Sequence, residues 1–153
     1  MKEFLEKYKD AGFIKEEQIG FDQVSKHLTR AIEDIKVAEA NTSIDTGVAY
    51  NYAYLAMLRT ARALMFSFGY RPINGQQHKT VVFFAEKTLG PKFSDLIEYF
   101  NRMRKKRNRF TYDEPDLLVS EEETKNAIIT AKAFVPEVTQ FIKKKNPQKE
   151  LKL

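Results

Sequence analysis

The chain has 153 residues, 42% of them apolar and 31% charged, a composition that makes one globular domain with a core large enough to need no covalent staples. No apolar run approaches the ~20 residues of a membrane span, and the lack of cysteine excludes disulfides, a thiolate nucleophile and zinc-finger spacing while fitting a reducing compartment. The net charge of +5 permits a polyanionic partner without demanding one, and the excess collects in two clusters, 102–109 and Lys143-Lys-Lys145.

Residues 1–20 are predicted to form a short helix and a linker. The opening Met1-Lys-Glu-Phe-Leu-Glu-Lys-Tyr8 mixes acids and bases and lacks the uncharged core of a signal peptide, which predicts a cytoplasmic protein. Residues 21–145 form the predicted bundle. Phe21, Val24, Leu28, Ala31 or Ile32, Ile35 and Ala38 step by three and four, predicting a helix over 21–42. Tyr50, Tyr54, Met57, Ala61, Leu64 and Phe68 do the same over 45–69, with Asp45 as N-cap and Gly69 as stop. After a connector, 70–75, a third helix over 76–89 buries Val81, Val82, Ala85 and Leu89. Gly90-Pro91 then ends one helix and opens the next, because glycine tolerates the left-handed conformation past a helix end and proline suits a first helical position.

The fourth helix, 91–109, runs into an acidic loop with Pro115. Ser120-x-x-Glu123 is a capping box for a last helix carrying Ile128, Ala131, Val135, Val138 and Ile142 on one side. Pro136 interrupts that helix and predicts a kink near residue 132, since it removes a hydrogen bond and clashes with the carbonyl four residues back. The tail 146–153 is polar and expected to fray. Strand signals are nearly absent, so the predicted class is all-α, a bundle of four to five main helices.

Catalytic constellations are scarce. His27 and His78 stand apart, with no Asp/Glu cluster at metal-ligand spacing and no glycine-rich phosphate loop, so neither a metal nor a cofactor is predicted. His27 reads as an ordinary helix residue. His78 lies at a helix N-terminus in Asn74-Gly-Gln-Gln-His-Lys79, where free amides favour anions, yet capping or solvent exposure is the first expectation for it.

The informative segment is 102–109, with six basic residues in eight positions at the end of an amphipathic helix. At about 100° per residue, Leu96, Phe100, Met103 and Arg107 share one face. Arg104 lies at its edge beside Ile97, and Arg102, Lys105, Lys106 and Arg109 gather on a separate, solvated arc. A guanidinium in an apolar stripe costs several kcal/mol to desolvate unpaired, so Arg107 requires an acceptor, a water-filled cleft or a subunit seam. One acceptor within reach is an acid such as Asp113.

Arg107-Asn108-x-x-x-Tyr112-Asp113 at the end of the fourth of five helices resembles the HEPN superfamily of small prokaryotic nucleotide- and RNA-associated domains. The similarity extends to Tyr54 through Pro72, to Gly75-Gln-Gln-His78 and to Ala127-x(3)-Ala131-x-x-Phe134, and spans about 45–143. The resemblance implies an up-and-down bundle that dimerises. In the ribonuclease branch an arginine, a polar residue after it and a histidine four to six residues beyond come from both subunits to build one metal-independent site. Carried over, Arg107 and Asn108 match and would clamp and orient a phosphate, while Tyr112 stands where the histidine would be. An imidazole titrates near neutrality, whereas a phenol with an ordinary pKa near 10 is only ~0.1% ionised at pH 7.

The resemblance therefore implies a basic, dimer-interfacial cleft for RNA or a nucleotide, with a degenerate ribonuclease motif of Arg107, Asn108 and Tyr112. Arg102, Arg104, Lys105, Lys106, Arg109 and His78 would serve as phosphate-binding residues around it. Two rivals stand beside that reading. One is a non-catalytic partner of a nucleotidyltransferase in a toxin–antitoxin pair. The other is a true ribonuclease whose acid–base group is His78 or His27.

Overall fold

A computed structural model describes residues 1–73 and 75–153; Asn74, within the predicted connector, lies outside the described residues. The helices are α1 (Lys2–Asp10), α2 (Phe21–Asn41), α3 (Thr46–Ser67), α4 (Gln77–Leu89), α5 (Ser94–Asn108) and α6 (Glu121–Lys145). A 3₁₀ turn, Pro91–Phe93, leads into α5, and a π-helical turn, Arg109–Asp113, leads out of it. The fold is the expected all-α bundle. Among the described residues no helix is long and apolar enough to cross a membrane.

The centre of the bundle is α3, which packs along α2 and α6 and touches α4 and α5. Its sequence explains this placement, because Ala49, Ala53, Ala56, Ala61 and Ala63 are all fully buried between larger side chains such as Tyr54, Met57 and Leu64. A helix apolar around most of its circumference is stable only when surrounded. Asp45 caps α3 by accepting from the Val48 amide at 3.1 Å, and Gly69 follows its end at φ 79°, a left-handed conformation that favours glycine. Ser120 and Glu123 form the reciprocal capping box at the start of α6.

Three expectations change. The linker before α2 contains a strand, β1 (Ile14–Glu16), paired antiparallel with β2 (Tyr70–Pro72) in the register Ile14 to Pro72. Arg71 with Glu17 and the Tyr70 hydroxyl with Glu16 reinforce it. Second, α6 runs unbroken through Pro136. The proline is exposed, so the carbonyl it leaves without an amide partner can turn to water. Third, the chain after α6 is tied down, since Leu151 packs on the core and the Lys152 amide donates to the Ser25 hydroxyl at 3.2 Å.

The N-terminal elements also fix α4. Phe4 and Tyr8 of α1 stack at 4.2 Å, and Phe4, Phe68 and Tyr70 surround the fully buried Phe84 of α4. Ring contacts of this kind add about 0.5–1.5 kcal/mol each beyond burial. They hold α4 against the end of α3 and so place its first turn opposite the end of α5.

Candidate functional site

The start of α4 and the end of α5 enclose a cleft of about 550 Å³, lined by residues 75–79 on one side and by Arg104, Arg107, Asn108 and Tyr112 on the other. Five of the predicted site residues, Arg104, Arg107, Asn108, Tyr112 and His78, therefore meet in one place. The remaining four do not line it. Arg102 lies over the Tyr99 ring at 5.4 Å, Lys105 is exposed, Arg109 pairs with Glu114 at 2.8 Å and Lys106 is engaged by Glu123 of α6 rather than standing free on a solvated arc.

Arg107 is half-buried, and its acceptor is not Asp113. Its Nε donates to Asn51 Oδ1 of α3 at 3.1 Å, one terminal nitrogen reaches Asn108 Oδ1 at 3.5 Å, and its guanidinium lies 5.7 Å from the Tyr112 ring centre. Among the described residues it makes no ion pair, so its charge is oriented by neutral groups and left for a ligand. Arg104 is similar, with Nε donating to Asn101 Oδ1 at 3.0 Å. Lys79 adds a third cation, its ammonium 5.6 Å from the Phe83 ring centre. No carboxylate lines the cleft among the described residues, and none of the groups of three or more His, Asp or Glu that could hold a metal occurs among them.

His78 is half-buried in the same cleft rather than a solvent-exposed cap. Its Nδ1 lies 3.0 Å from the hydroxyl of Tyr54, a fully buried residue of α3. Burial, with the charges of Arg107, Arg62 and Arg104 behind it, pushes the imidazole down to about 4, because each of these disfavours a further positive charge. Burial likewise raises the Tyr54 phenol well above its ordinary value, so at neutral pH both partners are uncharged. Arg62 of α3 donates to Gln77 Oε1 at 3.0 Å and anchors the first turn of α4 from behind.

His27 is elsewhere. Its Nδ1 faces the Gln23 carbonyl at 2.9 Å and its ring meets Phe66 edge-on at 4.9 Å. Burial lowers its pKa, with a smaller contribution from Arg62, Arg59 and Arg71.

Asn51, Tyr54 and Lys79 were not among the predicted site residues. Tyr54 sits in the core stripe of α3, where packing is the first explanation of an aromatic. Asn51 left a weak signal, since a polar residue three positions before Tyr54 shares the face of the core stripe.

On the far side of Arg107 lies a second groove of about 490 Å³, lined by the start of α3 and by residues 110–119 and including Val48 and Leu118. The Arg107 side chain thus forms part of both walls.

A family model described as HEPN domain matches residues 24–144, from the first turn of α2 to the last turn of α6, and the chain belongs to that family. Membership implies a nucleotide- or RNA-related role. No curated protein matches the chain.

Proposed function

We propose that this HEPN protein binds single-stranded RNA by seating a backbone phosphate in the α4–α5 cleft, and that it does so in the cytoplasm as a homodimer. The observation that carries the reading is the convergence of Lys79, Arg104 and Arg107 on a cleft with no lining carboxylate, none of the three being ion-paired among the described residues. Cations held by neutral acceptors keep their charge for an anion, and Arg107 offers a planar fork that matches two phosphate oxygens. Asn108 orients the guanidinium, and Tyr112, 71% exposed, offers an aromatic face on which a base can stack.

The homodimer is supported by the second groove. Leu118, 87% exposed, lines it with Val48 and Arg107, where a second copy would bring apolar surface against the far side of Arg107. The same apolar flank favours one further reading, a non-catalytic toxin–antitoxin role in which a nucleotidyltransferase covers this face.

Fluorescence anisotropy with a labelled single-stranded RNA tests the main reading. Each RNA phosphate neutralised contributes roughly −0.7 to the log–log salt slope, so seating one in the cleft should make affinity fall with salt at a slope of about −0.7 or steeper. Arg107→Ala should weaken binding about 10- to 100-fold, as loss of a charge-assisted contact does, whereas Arg102→Ala, outside the cleft, should change it less than about threefold. Equal effects of the two substitutions, or affinity indifferent to salt, would remove the cleft from the binding site.

A further inference from the structure

The side chains that line the cleft are set to give hydrogen bonds rather than to accept them. Asn108 Oδ1 already takes a bond from Arg107 at 3.5 Å, and Gln77 Oε1 takes one from Arg62 at 3.0 Å, which leaves their amide groups to donate. The Tyr54 hydroxyl has no exposed surface and, among the described residues, meets no acceptor but Nδ1 of His78 at 3.0 Å. A buried O–H donates where it can, and a neutral imidazole that accepts at Nδ1 carries its proton on Nε2. His78 therefore offers the cleft one more N–H. Lys79, Arg104 and Arg107 add three cations, and no carboxylate lines the cleft among the described residues. The start of α4, with no side-chain cap among those residues, brings the positive end of a helix to the same space. Of the lining side chains only Gln76 and Tyr112 keep a free oxygen, and both are exposed.

A lining of donors and cations suits an anion that has several acceptor oxygens, no proton to give and more than one charge. An internal phosphodiester brings a single negative charge and only its two unesterified oxygens. A phosphate monoester brings nearly two charges at pH 7 and three acceptor oxygens. We infer that the cleft is an RNA-end site, holding the phosphate monoester at a 5′ or 3′ terminus more tightly than an internal phosphodiester. The inference rests on the cleft being the seat of an RNA phosphate, and it adds which phosphate fills that seat. The third oxygen and the second charge engage donors that a diester leaves idle, with the two guanidinium forks on one wall and Lys79 and the His78 N–H on the other. Tyr112, its ring centre 5.7 Å from the Arg107 guanidinium, gives the terminal base a face to stack on beside its phosphate. A carboxylate in the cleft would oppose a dianion about twice as strongly as a monoanion, so a lining without one favours the monoester most.

The test is anisotropy on one short single-stranded RNA, labelled on an internal base and prepared with hydroxyls at both ends, with a 5′-phosphate, with a 3′-phosphate, and with each phosphate as its methyl ester. At least one phosphorylated form should bind about 10- to 100-fold more tightly than the hydroxyl-ended RNA, the gain of one added charge-assisted contact. Comparing the two forms identifies the terminus. The methyl ester, a monoanion at the same position, should lose most of that gain. Gln76→Glu, at an exposed position of the lining, should shrink the gain to less than about threefold, because the added carboxylate repels the dianion more than the monoanion. Hydroxyl-ended RNA that binds as tightly as both phosphorylated forms overturns the inference and leaves the cleft a seat for internal phosphates. Methyl esters that bind as tightly as the free monoesters overturn it too, as does a gain that Gln76→Glu leaves unchanged. Absence of binding by every form overturns the assignment of the cleft to RNA and this inference with it.

Discussion

Replacing His78 by glutamine should change how the stability of the protein depends on pH, by an amount that follows from the site. The folded imidazole is held near 4 against an ordinary 6.5, mainly by burial and then by Arg107, Arg62 and Arg104. A histidine whose folded pKa is depressed contributes its full stability above the unfolded value and loses it as pH falls toward the folded one, because protons bind the unfolded chain preferentially. The window is therefore pH 6.5 down to 4. With one pH unit worth about 1.4 kcal/mol, wild type loses about 2 to 3 kcal/mol through this one group between about pH 7 and 4.5. Glutamine can still accept from the Tyr54 hydroxyl but does not titrate. Urea unfolding of both proteins at the two pH values gives the quantity needed, the difference between them. That subtraction cancels His27, Glu16, Glu17 and Glu123, which titrate identically in each. The variant should gain on wild type by about 2 to 3 kcal/mol on acidification. A difference that stays constant would mean that His78 titrates as a free histidine, and would refute its placement beside the arginines.

Asp34, with no exposed surface, sits between α2 and α3 with Arg30 at 3.0 Å and Arg59 at 2.5 Å. Asp34→Ala should cost about 3 kcal/mol, the low end for breaking a buried pair because both arginines reach water and can rehydrate; a loss under about 1 kcal/mol by urea unfolding would mean the pair is not a lock between the helices. Pro136→Ala restores an amide donor at an exposed position within the unbroken α6 and should raise stability by about 1 to 3 kcal/mol, read from the same unfolding curves; no gain would show that the backbone there is already adapted to proline.

What could be read from the sequence was what depends on neighbours along the chain. The stripe of α3, the Asp45 cap and the Ser120–Glu123 box each need only three or four residues of context, and all appear where their spacing puts them. What escaped depends on residues far apart. The strands have three residues each, too few for alternation to register, and Ile14 meets Pro72 across the whole of α2 and α3. The acceptor of Arg107 was likewise unreadable: its position in the apolar stripe required an acceptor, but Asn51 lies 56 positions away, whereas Asp113 was merely close in sequence. For His78 the sequence offered a helix N-terminus. The hydroxyl that holds the ring belongs to Tyr54, a residue whose place in the core stripe concealed its polar end.

The geometry of the motif itself rests on one turn. In a continuous α-helix Tyr112 would lie about 140° around the axis from Arg107, five residues on at about 100° each, and the two side chains would diverge. The helix instead leaves α5 through a π-helical turn, closed by the Glu114 amide donating to the Arg109 carbonyl at 2.7 Å. The wider loop of backbone returns Tyr112 toward the Arg107 column, which is how the guanidinium comes to lie 5.7 Å from the ring centre. The ring faces the guanidinium and solvent, so the turn builds a wall for a phosphate and a base. The opposite wall does not depend on it, since His78 is set by α4 and Tyr54 rather than by the end of α5. A substitution that restores an α-helical path through 109–113 should therefore weaken RNA binding through Tyr112 while leaving the His78–Tyr54 pair in place.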